Sequence, residues 1–194
     1  ERTKQKDSAF DSLIKSRFVE MFINKGYQVG TIGECASDIR YGTSSKASET
    51  GSHTYLRMNN ITDNGMLDLS DVKHITLKGK DLDNSLVRKG DVLFNRTNSR
   101  EKVGKTCVFE LDTPMVIAGY IIRIRPSKET NGIYLSTYMN LSSVKKMLRA
   151  IAKGAVHQAN INSKELAAIE IPLPPLSLQQ EFAAFVTQVD KLRF

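Results

Sequence analysis

Cysteine and histidine are scarce in this sequence of 194 residues, with two of the first and three of the second. Cys35 and Cys107 stand far apart, with no CxxC pair and no histidine cluster near them. The spacing that zinc or another thiolate-bound metal needs is therefore missing. The count permits one disulfide, but buried or free thiols are the expectation. Long apolar runs are also lacking: nowhere do about 18 apolar residues follow one another, as a membrane span requires. The basic first residues lead into an amphipathic pattern rather than the apolar core of a signal peptide. No glycine-rich loop follows a strand in the manner of a methyl-donor site, no Asn-Pro-Pro-Tyr-type motif occurs, and no Ser/His/Asp nucleophile arrangement is recognisable. These gaps point to a cytoplasmic chain without catalysis, cofactor or metal.

What is present is basic. The formal charge is +7, which favours a polyanionic partner. Apolar residues at 40% and charged residues at 25% are ordinary for a folded protein, so wholesale disorder is excluded. Residues 8–22 place Phe10, Leu13, Ile14, Phe18, Met21 and Phe22 on one helical stripe, with Lys15, Arg17 and Glu20 around it. Gly26 is a fitting left-handed end for that helix. From residue 27 to 176 the texture turns to short β-like runs, at 28–32, 54–58, 92–95, 106–111, 116–125 and 168–172, separated by turn residues such as Asp63, Asn64 and Gly65. Residues 144–153 interrupt them as a helix with Val144, Met147, Leu148 and Ile151 inward and Lys145, Lys146, Arg149 and Lys153 outward, closed by Gly154. Strands and helices that fail to alternate regularly predict an α+β fold.

The chain ends on a helix with Leu178, Phe182, Phe185, Val189 and Leu192 at alternating four- and three-residue steps, the spacing of a heptad seam. Ser177 and Gln180 form a candidate capping box. Pro172, Pro174 and Pro175 stop any backward extension and enforce a stiff, extended approach. Three units follow: a helix end at 1–24, a β-rich domain at 25–176, and a helix start at 177–194.

Two motifs invite enzymatic readings. Gly104-Lys105-Thr106 has the wording of a phosphate loop, but its first glycine would fall at Ser99 and no helix follows, so that reading is rejected. Asp71 and Lys73 have the DxK form of some metal-dependent nucleases, with Asp63 and Asp68 upstream. They count only if two carboxylates converge on one metal.

The segments GDVLFNRTNSREKVGKTCVF, GYIIRIRP and KGAVHQANINSKELAAIEIPLPPLSLQQEFAAF together resemble the specificity subunit of type I restriction-modification systems. The opening FDSLIKSRFVEMF is similar to the end of that family's other conserved helix. The resemblance covers nearly the whole chain, and its motifs are specific in combination rather than singly. It implies one target recognition domain between two pieces of a coiled-coil spacer, half of a prokaryotic specificity subunit and the C-terminal half by position. The sequence opens on Glu1 rather than Met, as a fragment would. Such a protein reads one half of a bipartite double-stranded DNA target for a methyltransferase subunit and, through it, a restriction subunit. The alternatives are the recognition domain of a larger fused restriction-methylation enzyme, or a nuclease using the aspartates above.

With that resemblance, several segments become candidates for DNA contact, each with a plain structural reading beside it. Arg40, Tyr41, Thr43, Ser44, Ser45 and Lys46 form a small, polar, basic loop suited to phosphates and base edges, and equally to a mobile surface loop. Arg96, Thr97 and Asn98 follow an apolar strand directly, and Arg and Asn are the side chains that bond guanine and adenine edges in pairs. Arg100, Lys102 and Lys105 would add phosphate contacts; the plain reading is a solvated hairpin tip. Alternation puts Tyr55, Arg57 and Asn59 on one strand face with Leu56 and Met58 inward. In the passage 157–160, His157 to Asn160, Gln158 suits base reading, although local turn closure suits the passage as well. Leu13, Phe18, Phe182, Phe185, Val189 and Leu192 are the expected spacer-helix interface, paired within the chain or across a homodimer.

Overall fold

The computed structural model describes residues 2–155 and 158–193, with side chains from residue 6 onward. The chain opens on helix α1, Arg2–Phe22. It ends in the left-handed region at Asn24 and again at Gly26, with φ of 57° and 75°, so the expected glycine stop is shared with an asparagine, the other residue that tolerates this conformation. Strands β1 (Val29–Thr31), β2 (Ala36–Tyr41) and β3 (His53–Leu56) follow, then a 3-10 turn at Met58–Asn60 and β4 (Lys73–Ile75). Next come helix α2 (Gly79–Ser85) and strands β5 (Leu86–Val87), β6 (Val92–Asn95), β7 (Thr97–Asn98), β8 (Thr106–Val108), β9 (Met115–Ile117) and β10 (Ile121–Pro126). The remainder comprises α3 (Gly132–Met139), α4 (Ser142–Ile151), β11 (Lys153–Ala155), β12 (Gln158–Asn160), α5 (Ser163–Ala167), β13 (Glu170–Pro172) and α6 (Leu176–Lys191). Among the described residues no helix is long and apolar enough to cross a membrane.

Among the described residues four small sheets result: β2-β10-β6-β8, β4-β3-β9-β5, β11-β12-β7 and the pair β1-β13. This is an α+β arrangement. The long apolar run 116–125 is not one strand, as its pattern predicts, but two. Residues 118–120 carry the chain from β9, which pairs with β3 and β5, to β10, which pairs with β2 and β6. Both halves are buried, so no alternation marks the crossing. The strand expected at 54–58 stops at Leu56. Tyr55 and Leu56 are both buried while Met58 is exposed, which overturns the expected shared face of Tyr55, Arg57 and Asn59. The helix expected at 144–153 ends at Ile151; Lys153 and Gly154 lie in β11 instead.

Helices α1 and α6 pack antiparallel, with Arg193 on Asp11 at one end and Arg17 3.8 Å from Glu181 at the other. Phe18, Phe22, Phe182 and Tyr134 meet between them and α3, with ring centroids 4.9–5.6 Å apart. These rings belong to the same core as Val92, Phe94, Ile122 and Ile124 of the sheet. The expected seam therefore divides. Phe18, Phe182 and Val189 are buried and Phe185 half-buried, whereas Leu13 and Leu192 remain 48% and 61% exposed. Val186, Ala183 and Gln179 join the buried face of α6, broader than a heptad seam alone. Cys35 and Cys107 are buried free thiols, and burial pushes the Cys107 thiol up to about 12.

The expected capping box at Ser177 and Gln180 does not form: Pro175 is the N-cap, and no side chain accepts from the first helical N–H groups there. The elbow is locked by Gln179. Its Nε2 donates to the Pro174 and Glu129 carbonyls at 2.9 and 3.2 Å, and its Oε1 accepts from Asn131 N at 2.9 Å. Tyr134 and Tyr138 hydroxyls donate to the Pro172 and Glu170 carbonyls, both at 2.7 Å. A buried amide with three backbone partners fixes the angle at which α6 leaves the domain. Gln179→Ala strands all three, so it is expected to cost about 2 kcal/mol. A urea unfolding midpoint unchanged from the parent would sink that assignment.

Candidate nucleic-acid interface

The candidate residues fall into three groups, decided by which backbone segments the sheets bring together. The first surrounds the crossing at residues 118–120. Arg96 follows β6; its N–H donates to the Tyr120 carbonyl at 3.0 Å and its carbonyl accepts from Ile161 N at 2.9 Å. Its guanidinium carbon lies 4.9 Å from the centroid of the Tyr41 ring, at the end of β2. The Tyr41 hydroxyl in turn accepts from Ser163 N at 2.8 Å. Tyr120 beside them is 51% exposed. Gly42 follows Tyr41 because β2 here runs against backbone: a Cβ would lie 2.2 Å from the Ile117 oxygen.

Strand pairing adds the second half of this patch. β12 lies against β7 with Ala159 opposite Asn98 and Asn160 opposite Thr97. Asn98 Nδ2 donates to Asn95 Oδ1 at 3.0 Å, and its Oδ1 accepts from Ser99 N at 2.8 Å. Gln158 is exposed at the start of β12, while His157 lies outside the described residues. Arg96 Nε, Thr97 Oγ1 and Asn160 Oδ1 are buried without a hydrogen-bond partner. They are three of the six such side-chain atoms among the described residues, gathered within one small area. Buried polar atoms are normally satisfied, and each orphan costs about 1–3 kcal/mol, so the group marks a locally unsatisfied polar patch.

The loop after Tyr41 is held at its root. Thr43 N donates to the Ile117 carbonyl at 2.9 Å, and the Tyr55 hydroxyl donates to the Thr43 and Ser45 carbonyls at 3.3 and 3.2 Å. Ser44, Ser45 and Lys46 are exposed beyond that anchor, and Arg40 pairs with Asp38 at 2.8 Å.

The second group, Arg57 and Asn59, closes on Asp71. Arg57 Nη2 is 2.8 Å from its carboxylate and Asn59 Nδ2 donates to it at 3.3 Å. The aspartates of the nuclease alternative are each engaged elsewhere. Asp71 is taken by Arg57, Asp68 accepts from Ser70 N, Asp63 lies 3.9 Å from Lys105, and Lys73 pairs with Glu49. Among the described residues no three His, Cys, Asp or Glu side chains are grouped to hold a metal.

The third group leaves the patch. Arg100 turns inward and donates to the carbonyls of Arg149, Ala152 and Gly154 at 3.0, 3.1 and 2.9 Å, closing the end of α4 in the role expected of Gly154. Lys102 and Lys105 line a cleft with α1 and α4 rather than joining Arg96.

An α+β domain with an antiparallel helix pair packed into its core, and a polar patch at a sheet crossing, is the class these observations define. The chain belongs to the type I restriction modification DNA specificity domain family, whose pattern it matches over residues 24–194. It is 28% identical over 174 residues to the putative type I restriction enzyme MjaX specificity subunit of Methanocaldococcus jannaschii, an alignment covering 88% of this chain and 41% of that protein. The fold is similar to that of the HsdS subunit from Thermoanaerobacter tengcongensis, with a TM-score of 0.65 at 21% identity over 98% of this chain and 46% of the other. The S subunit from M. genitalium gives 0.64 at 12% identity, covering 99% of this chain and 51% of that one. The chain thus spans about half the length, or less, of these relatives.

Proposed function

We propose that this chain reads one half of a bipartite DNA target and directs a methyltransferase subunit, and through it a restriction subunit, to that site, with no catalysis of its own. The observation that carries the reading is the patch of Tyr41, Arg96, Thr97, Asn98, Gln158 and Asn160, where three buried polar atoms lack partners in a member of a DNA specificity family. Arg96 and Asn98 are the base-reading candidates, because their side chains can bond guanine and adenine edges. Tyr41 holds the Arg96 guanidinium face-on and so limits its rotamers. Thr43, Ser44, Ser45 and Lys46 serve the phosphates, with Arg40 at the root of their loop. Arg57 and Asn59 order the residue 61–71 loop through Asp71 and carry no reading role. The exposed Leu13 on α1 and Leu192 just past the end of α6 offer contact to the methyltransferase subunit or to a second copy.

The test is selection from a randomised duplex pool, with and without the methyltransferase of the same system, at two salt concentrations. A short motif is expected to enrich only with the partner present. Arg96→Ala is expected to relax the motif at one position and weaken binding about tenfold or more, as the loss of one paired base contact does. Enrichment undiminished in that variant would remove Arg96 from the reading surface.

A further inference from the structure

The cleft that takes Lys102 and Lys105 away from the reading patch has a chemistry of its own. It encloses about 400 Å³ between α1, the turn at 99–105 and the start of α4. Lys15 enters from α1, Lys102 and Lys105 from the turn, and Lys145 and Arg149 from α4. Two carboxylates, Asp63 and Glu101, also line it, leaving a surplus of three positive charges when Lys145 is protonated. The pairing of Asp63 with Lys105, at 3.9 Å, is the only ion pair involving any of the five cations among the described residues. The periodicity of residues 144–153 predicts Lys145 on the solvent face. Instead its ammonium turns under the cleft and donates to the Gly104 carbonyl.

We propose that this cleft is a phosphate-binding site, in which Lys145 forms the floor and Lys15, Lys102, Lys105 and Arg149 the walls. Converging cations without matching carboxylates repel one another, and an oxyanion is the ligand that relieves this; Lys and Arg supply charge-assisted donors for it. Ser142, at the start of α4, adds a hydroxyl, and the helix begins there with no side-chain cap to occupy its first N–H groups. The strain is visible at Lys145. Burial first, then the facing charges of Lys15, Arg149 and Lys105, pull its pKa down to about 7, against a smaller opposing pull from Asp63. Lys105 is lowered as well, by burial, which outweighs the raising pull of the Asp63 carboxylate, with Lys102 adding a smaller push down.

Two sources supply a phosphate group: the backbone of bound DNA, or a free phosphorylated small molecule. We assign it to the backbone, as a clamp set apart from the bases. That assignment rests on the DNA-reading proposal, whereas the oxyanion chemistry does not. The experiment follows the Lys145 side-chain resonances by NMR near neutral pH while inorganic phosphate, and separately a short duplex of arbitrary sequence, is added to the full chain. Phosphate is expected to move the Lys145 signal saturably toward its protonated position. Lys102→Gln/Arg149→Gln, which alters only exposed side chains, is expected to weaken that binding about tenfold. Lys145→Met, which keeps the stem but not the charge, is expected to lower the salt slope of duplex binding by about 0.9, the share of one phosphate contact. A duplex that reproduces the shift and is displaced by phosphate supports the backbone assignment. A phosphate shift with no duplex shift overturns the clamp and leaves a site for a free phosphorylated molecule. No shift with either overturns the site, and none of these results bears on the motif selected through Arg96.

Discussion

Phe18→Ala is expected to lower the free energy of unfolding by about 4 kcal/mol, near the upper range for a buried aromatic truncated to alanine. Phe18 has no exposed surface, and its ring touches four others: Phe22 at 4.9 Å, Tyr134 at 5.1 Å, Phe182 at 5.3 Å and Tyr138 at 6.1 Å between centroids. The Phe182 ring meets it edge-on at 87°, the arrangement that aromatic quadrupoles favour. Those neighbours come from α1, α3 and α6, three elements held apart by the rest of the fold. The void left by the ring cannot collapse without shifting a helix, and lost transfer energy then adds to the cavity cost. Equilibrium urea denaturation checks this. A loss below about 1.5 kcal/mol, the cost of a much smaller deletion, would mean that the helices repack freely and that α1 is not integral to the core.

Asp38→Ala is expected to cost about 3 kcal/mol, through what it leaves behind rather than what it removes. Arg123 on β10 is 2% exposed, and its guanidinium pairs with Asp38 of β2 while donating to the Leu86 and Asp83 carbonyls. Without the carboxylate a buried cation keeps only carbonyl partners. The loss falls at the low end for a broken buried pair because the Asp38 side chain is 27% exposed and admits some water. Removing both charges, as Asp38→Ala/Arg123→Met, is expected to recover most of the loss, since a well-packed apolar replacement of a buried pair is nearly neutral. A double variant as unstable as the single one would contradict this account.

The same pair has a pH signature. Burial raises the Asp38 carboxyl, but hydrogen bonds from Arg123 and Arg40 outweigh it and hold the group below its ordinary value. A carboxyl with a folded pKa below its unfolded one, about 3.9, contributes stability that is present above that unfolded value and is lost as pH falls through the folded one. The gap between parent and Asp38→Ala should therefore close under acid, and thermal melts from neutral to strongly acidic pH would show it.

How much of this could be read beforehand depended on whether a signal is local. The stripe of Phe10, Ile14, Phe18 and Phe22 declares a helix because its period is written in consecutive turns. Pro172, Pro174 and Pro175 declare an elbow because proline restricts its own backbone and its neighbour's. The segment 116–125 concealed its break, since both halves are buried and a fully apolar run reads alike whether it is one strand or two. Lys145 and Arg100 concealed their roles for a related reason: helical period and charge place them at the surface, while a carbonyl from a distant turn or helix end decides where the head group goes.

The sequence by itself determined that the chain is basic and α+β, that two helices flank a β-rich domain, and which segments supply arginine, asparagine and glutamine. These follow from composition, period and backbone stiffness, each a property of a few adjacent residues. Only the tertiary structure decided which of those side chains meet. Arg96 joins Tyr41 because the chain crosses between sheets at residues 118–120, and Asn160 faces Thr97 because β12 lies against β7. Lys102 and Lys105 are drawn off into the cleft with Lys145. Such meetings depend on sheet pairings between residues 26 to 90 positions apart, and no local pattern records them, because the energy that selects one pairing over another is released only when the whole core closes.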